Sequence, residues 1–315
     1  MNKKFSTPLF SLVAVAIMLL FTFASCKKKD DKTPETGTIT TIVSSSPDFT
    51  ILKAAVVKAG LAATLDGKGP FTVFAPTNDA FRASGITMET INSLSSDALK
   101  GILLYHTLGA KVVAADVPAG PNANVATVGG KDIFLTKNNS GVFVNGVSVV
   151  KADVMASNGV IHAISRVLMP PTGNIVEAAQ ANPNFTYLVA AVLQASKGTT
   201  NIAQVLSSAG PFTVFAPTNE AFKAAGFATI ADINKTDPNT LASILTYHVI
   251  SARVFSSDLT NGGQPKTVNG GTVSIGLTNG ATVKGNKNTT ASKITSTDMV
   301  TTNGVIHVID QVLLP

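Results

Sequence analysis

Residues 69–81 read GPFTVFAPTNDAF and residues 210–222 read GPFTVFAPTNEAF, identical but for Asp79 against Glu220. Farther along, NGVIHAISRVLMP at 158–170 returns as NGVIHVIDQVLLP at 303–315. The two pairs are offset by 141 and 145 residues, so the chain carries a duplicated unit the size of one small domain. Duplication also decides how a candidate site is weighed. A residue type present in both copies points first to a role in the fold, and only then to an active site.

Around these motifs the pattern alternates between helix and strand. Phe185, Leu188, Val189 and Val192 fall at i, i+3, i+4 and i+7 and predict an amphipathic helix, with Phe49, Leu52 and Val56 as its counterpart. Phe71 to Phe74 and Phe212 to Phe215 read as short strands, ended by Ala-Pro because proline brings no N–H to a ladder. Thr77-Asn78-Asp79-Ala80-Phe81 then reads as a helix start. Thr or Asn caps the free N–H groups, and Asp79 (Glu220 in the second copy) puts a negative charge in the first turn, where the helix dipole favours it. Leu99, Ile102, Leu103 and His106 form a second helical stripe, repeated as Leu241, Ile244, Leu245 and His248. After it come strands. Asn145-Gly146 between Val142–Val144 and Val147–Val149 is a hairpin signal. Each copy closes on an extended segment, Val160 to Leu168 or Val305 to Leu314, and Pro170-Pro171 marks the boundary.

The chain opens MNKKFSTPLFSLVAVAIMLLFTFASC, with Lys3 and Lys4 before an apolar run from Leu9 to Ala24. Residues 1–25 are read as a secretory signal, since about 16 apolar residues are short for a membrane span of roughly 20. Phe23-Ala24-Ser25-Cys26 resembles a bacterial lipobox, in which the cysteine becomes the lipidated first residue. Cys26 is the chain's single cysteine, which leaves no intramolecular disulfide. Residues 26–37, with Lys27-Lys28-Lys29-Asp30-Asp31-Lys32 and Pro34, read as a charged tether. A Lys followed by paired acids resembles the surface-export signal of Bacteroidetes lipoproteins. The expectation is an outer-membrane lipoprotein exposed at the cell surface.

The formal charge of +6 is concentrated at this end. Six of the 24 basic and three of the 18 acidic residues precede Gly37, leaving 18 against 15 in the remainder. With no Lys/Arg cluster there, nucleic acid is excluded as a partner.

The long motifs resemble the fasciclin-type domain. Its first motif, F-T-V-F-A-P-[TS]-[ND]-x-A-F, is met in full by both copies. Its second, G-V-I-H-x-I-D-x-V-L, is met by the second copy through Gly304-Val305-Ile306-His307 and Ile309-Asp310. The first copy departs, with Ser165 where the family usually has Asp. Between them lies the family's Tyr-His pair, here Tyr105-His106 and Tyr247-His248. The resemblance implies an α/β (α+β) fold, two tandem modules over 38–170 and 171–315, each a compact β-wedge flanked by short helices. It implies adhesion or matrix binding without enzymatic activity. In animal members the Tyr-His region has been proposed to bind integrins, so Tyr105, His106, Tyr247 and His248 are the candidate partner-binding residues.

The residues themselves support no catalyst or cofactor. All four histidines, His106, His162, His248 and His307, sit in repeated motifs, and no carboxylate stands at regular ligand spacing to complete a metal site. His106 and His248 extend an apolar helical face and read as packed imidazoles. Tyr105 and Tyr247, one position earlier, should point about 100° away, toward the edge of the buried stripe. Serines are abundant, but no G-x-S-x-G elbow appears, and Asp310 near His307 has no counterpart in the first copy. The function expected is adhesion, through a membrane lipid anchor and an extracellular or matrix protein partner. The alternative is a polysaccharide- or small-ligand-binding accessory lipoprotein. The lack of Trp and the presence of only three Tyr argue against a sugar-stacking platform.

Overall fold

The structure is a computed structural model that describes residues 37–315. The signal segment, Cys26 and the tether up to Thr36 lie outside the described residues.

The first copy begins with helices α1 (Ile39–Ser45), α2 (Thr50–Lys58) and α3 (Ala62–Leu65), then strand β1 (Phe71–Pro76). Helices α4 (Asn78–Ala83), α5 (Met88–Ser93) and α6 (Ser96–Tyr105) follow. The strands β2 (Thr107–Leu108), β3 (Gly120–Ala126), β4 (Asp132–Asn138), β5 (Gly141–Val144), β6 (Val147–Ala156) and β7 (Gly159–Ile164) complete it. The second copy repeats the order with α7 (Ile175–Gln180), α8 (Thr186–Ala195), α9 (Ile202–Ser207), β8 (Phe212–Pro217), α10 (Asn219–Ala224), α11 (Ile230–Lys235) and α12 (Pro238–Tyr247). It ends with β9 (Val249–Ile250), β10 (Ser274–Gly276), β11 (Thr282–Lys284), β12 (Ser292–Thr301) and β13 (Gly304–Ile309).

The two duplicated motifs pair with each other. β1 lies parallel to β7, Phe71 opposite Gly159 through Pro76 opposite Ile164, and β8 lies parallel to β13 in the same register. The strand orders are β2-β1-β7-β6-β5-β4-β3 and β10-β11-β12-β13-β8-β9. The central pair is covered on both faces. Val73, Ala75, Ile161 and Ala163 join Leu52, Leu99 and Leu103 in a helical core. Phe74 and Ile164, one residue out of phase, join Tyr105, Ile133, Leu135 and Val144 in the wedge core. Period-two alternation between two buried faces makes these strands read as unbroken apolar runs.

The repeated letters of the motifs serve this pairing. A Cβ on Gly159 would collide with the Phe71 carbonyl, and one on Gly69, at φ +59°, with the Asn158 carbonyl. Gly304 and Gly210 stand in the same contacts to Phe212 and Asn303. The buried Asn158 amide donates to Leu65 O and Gly67 O, each at 2.8 Å, and its oxygen accepts from Ile39 N at 3.0 Å. Asn303 makes the equivalent bonds to Leu206 O, Ser208 O and Ile175 N. One side chain thus ties the first and third helices of each copy to the sheet. Thr77 and Thr218 are the N-caps, accepting from Ala80 N and Ala221 N. The adjacent asparagines do something else. Asn78 accepts from Ile51 N and donates to Pro47 O, and Asn219 does the same with Tyr187 N and Pro183 O, bracing the second helix of each copy.

One expectation changes. The closing segments leave the sheet at Ile164 and Ile309, because the parallel partner strand ends at Pro76 and Pro217 and offers nothing to pair with beyond. Asn145-Gly146 forms the expected hairpin, with φ 49° and 78° as a type I′ turn requires, and the Asn145 side chain is buried.

Asn158→Ala should cost about 2–4 kcal/mol in chemical denaturation, because it strands a buried N–H and two carbonyls as well as removing bonds. Asp79→Asn, at an exposed first-turn position, should cost under about 0.5 kcal/mol. Equal effects would remove the asparagine from its place as the tie between helices and sheet.

Candidate binding site

Each Tyr-His pair sits where helix gives way to wedge, and both residues are buried. Tyr105 is 1% exposed and Tyr247 0%. This corrects the placement of the tyrosines at an edge. The helix ends at Tyr105 and Tyr247, and the wedge sheet folds over that end, so the ring enters a second core the helical period does not register. The Tyr105 hydroxyl donates to Asp132 O at 3.1 Å and accepts from Asn145 Nδ2 at 2.9 Å. Burial pushes its pKa up to about 12. The Tyr247 hydroxyl donates to Thr272 O and accepts from Asn286 N.

His106 and His248 lie one residue past their helices, as C-caps. In His106, Nδ1 donates to Ile102 O at 2.8 Å and Nε2 accepts from Leu168 N at 2.9 Å. In His248, Nδ1 donates to Ile244 O at 2.9 Å and Nε2 accepts from Leu313 N at 2.8 Å. One nitrogen therefore satisfies a helix-end carbonyl and the other an N–H of the segment leaving the sheet. That arrangement needs the neutral ring. Burial lowers the pKa of both to about 4, against the opposing pull of the helix carbonyl. His162 and His307 are also buried. Each donates through Nε2 to a backbone carbonyl, Val112 O or Val254 O, and accepts through Nδ1 from Asp153 N or Asp298 N. Burial lowers the His307 pKa as well. All eight ring nitrogens are engaged by the backbone, and among the described residues no group of three or more His, Cys, Asp or Glu is gathered for a metal.

The junction between the copies is built from residues outside the repeated motifs. The loop after β9 docks onto the β3–β4 face of the first copy. The Arg253 guanidinium lies 4.1 Å from the centre of the Phe134 ring and donates to Gly304 O at 2.7 Å, and Phe255, fully buried, sits 5.9 Å from Phe134. Asn122 donates to Arg253 O at 2.7 Å, Thr136 to Asp258 at 3.1 Å and Asn138 to Ser257 O at 3.0 Å. The matching loop of the first copy, aligned through the Thr72 and Thr213 bonds to Val112 N and Val254 N, carries Lys111 and Val113 in place of Arg253 and Phe255. Differences between the copies, rather than their identities, were the signal that would have found this surface.

Residues 47–170 and 183–315 each match the Fasciclin domain family. The chain belongs to that family. The family is one of non-enzymatic adhesion and binding proteins. The transforming growth factor-beta-induced protein ig-h3 of Oryctolagus cuniculus is 31% identical over 254 residues, 80% of this chain and 35% of that protein. Periostin of Homo sapiens is 31% identical over 263 residues, 80% of this chain and 29% of its own length. The chain thus spans about a third of the length of these curated relatives. A bacterial relative, protein sll1483 of Synechocystis, is 43% identical over 138 residues, 42% of this chain and 74% of that one. A solved domain pair from the insect cell adhesion molecule fasciclin I covers 84% of this chain and 96% of its own, at 18% identity and a TM-score of 0.41.

The neutral imidazoles give the fasciclin pair an acid limit. Their folded pKa lies below the unfolded value, so the unfolded chain binds more protons between pH 6.5 and about 4, and stability falls as pH drops through that window. From pH 7 to 4.5, His106 and His248 should each remove about 2–3 kcal/mol. Urea unfolding across this range checks it, and a flat profile would contradict the neutral, backbone-bonded rings.

Proposed function

We propose that this protein is a cell-surface adhesion lipoprotein. Cys26 carries the lipid, residues 26–37 form the tether, and the modules at 38–170 and 171–315 meet a protein partner outside the cell. The observation that carries the reading is the pairing of two fasciclin modules in one chain behind an apolar segment that ends at Ala24-Ser25-Cys26. Among the described residues no helix is long and apolar enough to cross a membrane, so attachment in this reading rests on the acyl chains.

The Tyr-His pairs enter this function indirectly. Buried and bonded to backbone, they hold the helix end, the wedge loop and the closing segment together, and the partner meets the surface that framework carries. The docked junction has a consequence for binding strength. Two sites on a fixed frame reinforce each other only on a partner whose spacing matches, whereas a flexible linker would tolerate many spacings.

Cys26→Ser should move the protein from the membrane fraction to the soluble fraction and abolish attachment of cells to a surface coated with extracellular matrix protein. A variant that stays in the membrane would remove the lipid anchor. Parent cells that attach no better than cells lacking the protein would remove adhesion.

A further inference from the structure

We propose that the cleft at the junction of the two modules is a partner-binding site, and that it takes an extended, acidic polypeptide segment. The proposal deepens the adhesion reading and rests on it for the class of partner. The cleft measures about 860 Å³, within the size range of ligand sites and in a place, between two domains, where such sites concentrate. Ser148, Ser165, Arg166 and Met169 line it from the first module, and Thr297 and Met299 from the second.

Charge identifies the ligand's sign. The closing motifs align Ser165-Arg166 of the first copy with Asp310-Gln311 of the second. In the second copy Asp310 accepts from Ser292 Oγ at 3.0 Å and Lys293 N at 2.7 Å, a buttress between neighbouring strands. In the first copy the same place holds a neutral pair, Ser165 bonded to Ser148 at 2.9 Å. The first module therefore carries a hydroxyl and a guanidinium where the second carries a carboxylate and a neutral amide. Arg166 is exposed and makes no ion pair among the described residues. The carboxylate on the opposite wall, Asp298, is already engaged by the Ser256 N–H at 2.7 Å and by the Ser256 hydroxyl. An incoming carboxylate thus meets an exposed cation that has no ion-pair partner among the described residues.

Backbone geometry identifies the ligand's form. β11 pairs with β12 at Ser292 and Lys293, and the Ile294 N–H bonds Ala281 O at 2.9 Å, so among the described residues the outer edge of β12 has no strand partner from Thr295 onward. Ser296 to Val300 of that strand line the cleft. A strand edge offers main-chain donors and acceptors to an extended peptide. The bulge at Asp298, with φ 64°, interrupts the edge and limits such pairing to a residue or two on either side. Met169, 55% exposed, and Met299 supply adaptable apolar contact for an aliphatic side chain. No aromatic residue lines the cleft, so an acidic polysaccharide would find no stacking surface.

The test is selection of displayed random peptides on the purified full chain, followed by affinity measurement on Arg166→Glu and Arg166→Lys variants whose thermal unfolding matches the parent. The selected peptides should be enriched in Asp and Glu. Arg166→Glu should weaken them by about tenfold or more, Arg166→Lys should largely restore them, and added salt should weaken them steeply. Peptides without acidic enrichment, or equal binding to Arg166→Glu, would overturn the proposal. So would binding of polygalacturonate that Arg166→Glu abolishes while no peptide is selected. Cell attachment tells the two readings apart. Attachment that survives Arg166→Glu removes the cleft and leaves adhesion standing, whereas no attachment by the parent removes adhesion while peptide selection still judges the cleft.

Discussion

The parallel contact of β1 with β7, and of β8 with β13, is the constraint on which each module depends. The two strands lie far apart in sequence, so they meet only after every intervening helix and hairpin has found its place. The contact is close enough that glycine is required on both sides of its entrance, and it is buried on both faces, so no position in it is free. The asparagine before β7 or β13 then converts this sheet into an anchor for helices. Its three hydrogen bonds reach the start of the first helix and the end of the third. Burying such a group is favourable only because every polar atom on it is used.

The same accounting explains the histidines. A helix that ends under a sheet leaves carbonyls without partners, and a strand that leaves a sheet leaves an N–H. A neutral imidazole, a donor at one nitrogen and an acceptor at the other, serves both at once. Lysine or arginine would bring only donors and a charge, and asparagine is too short to place its ends as far apart. The cost is a stability that depends on the ring remaining unprotonated. Thr72 and Thr213 solve a smaller version of the problem, each donating to one loop carbonyl and accepting one loop N–H.

What was legible in the sequence was whatever repeats. The duplicated motifs carry the module count, the short strand before each Ala-Pro, a helix start capped by Thr or Asn, and the packed histidines, since each arises from local pattern or from identity between copies. Tyr105 and Tyr247 were misplaced because a helical period reports one buried face, and a helix end covered by a sheet has two. The closing segments read past Ile164 and Ile309 because buried apolar residues resume beyond the strand ends, Val167 in the helical core and Leu168 in the wedge core. The junction itself was invisible. Phe134, Arg253 and Phe255 lie between the motifs, and nothing in the chain states that a cation in one copy stacks on a ring in the other.

The pattern of divergence between the copies is itself informative. Interior positions that serve pairing, capping and carbonyl satisfaction are the same twice, because the same local physics must be met twice. Three of the departures lie where the copies meet. Phe255 and Arg253 replace Val113 and Lys111 in the loop that docks, and Phe134 faces them where the aligned strand β10 begins with Ser274. Asp298 lies so near Gly146 that a Cβ there would strike its carboxylate, so the hairpin glycine serves the junction as well as the turn. A chain of identical modules could dock end to end without limit, each presenting the face the next requires. Here the first copy's loop carries Lys111 and Val113 in place of the anchor residues, and the second copy's sheet carries Ser274 in place of the aromatic receiver, so anchor and receiver meet at this junction alone of the two faces.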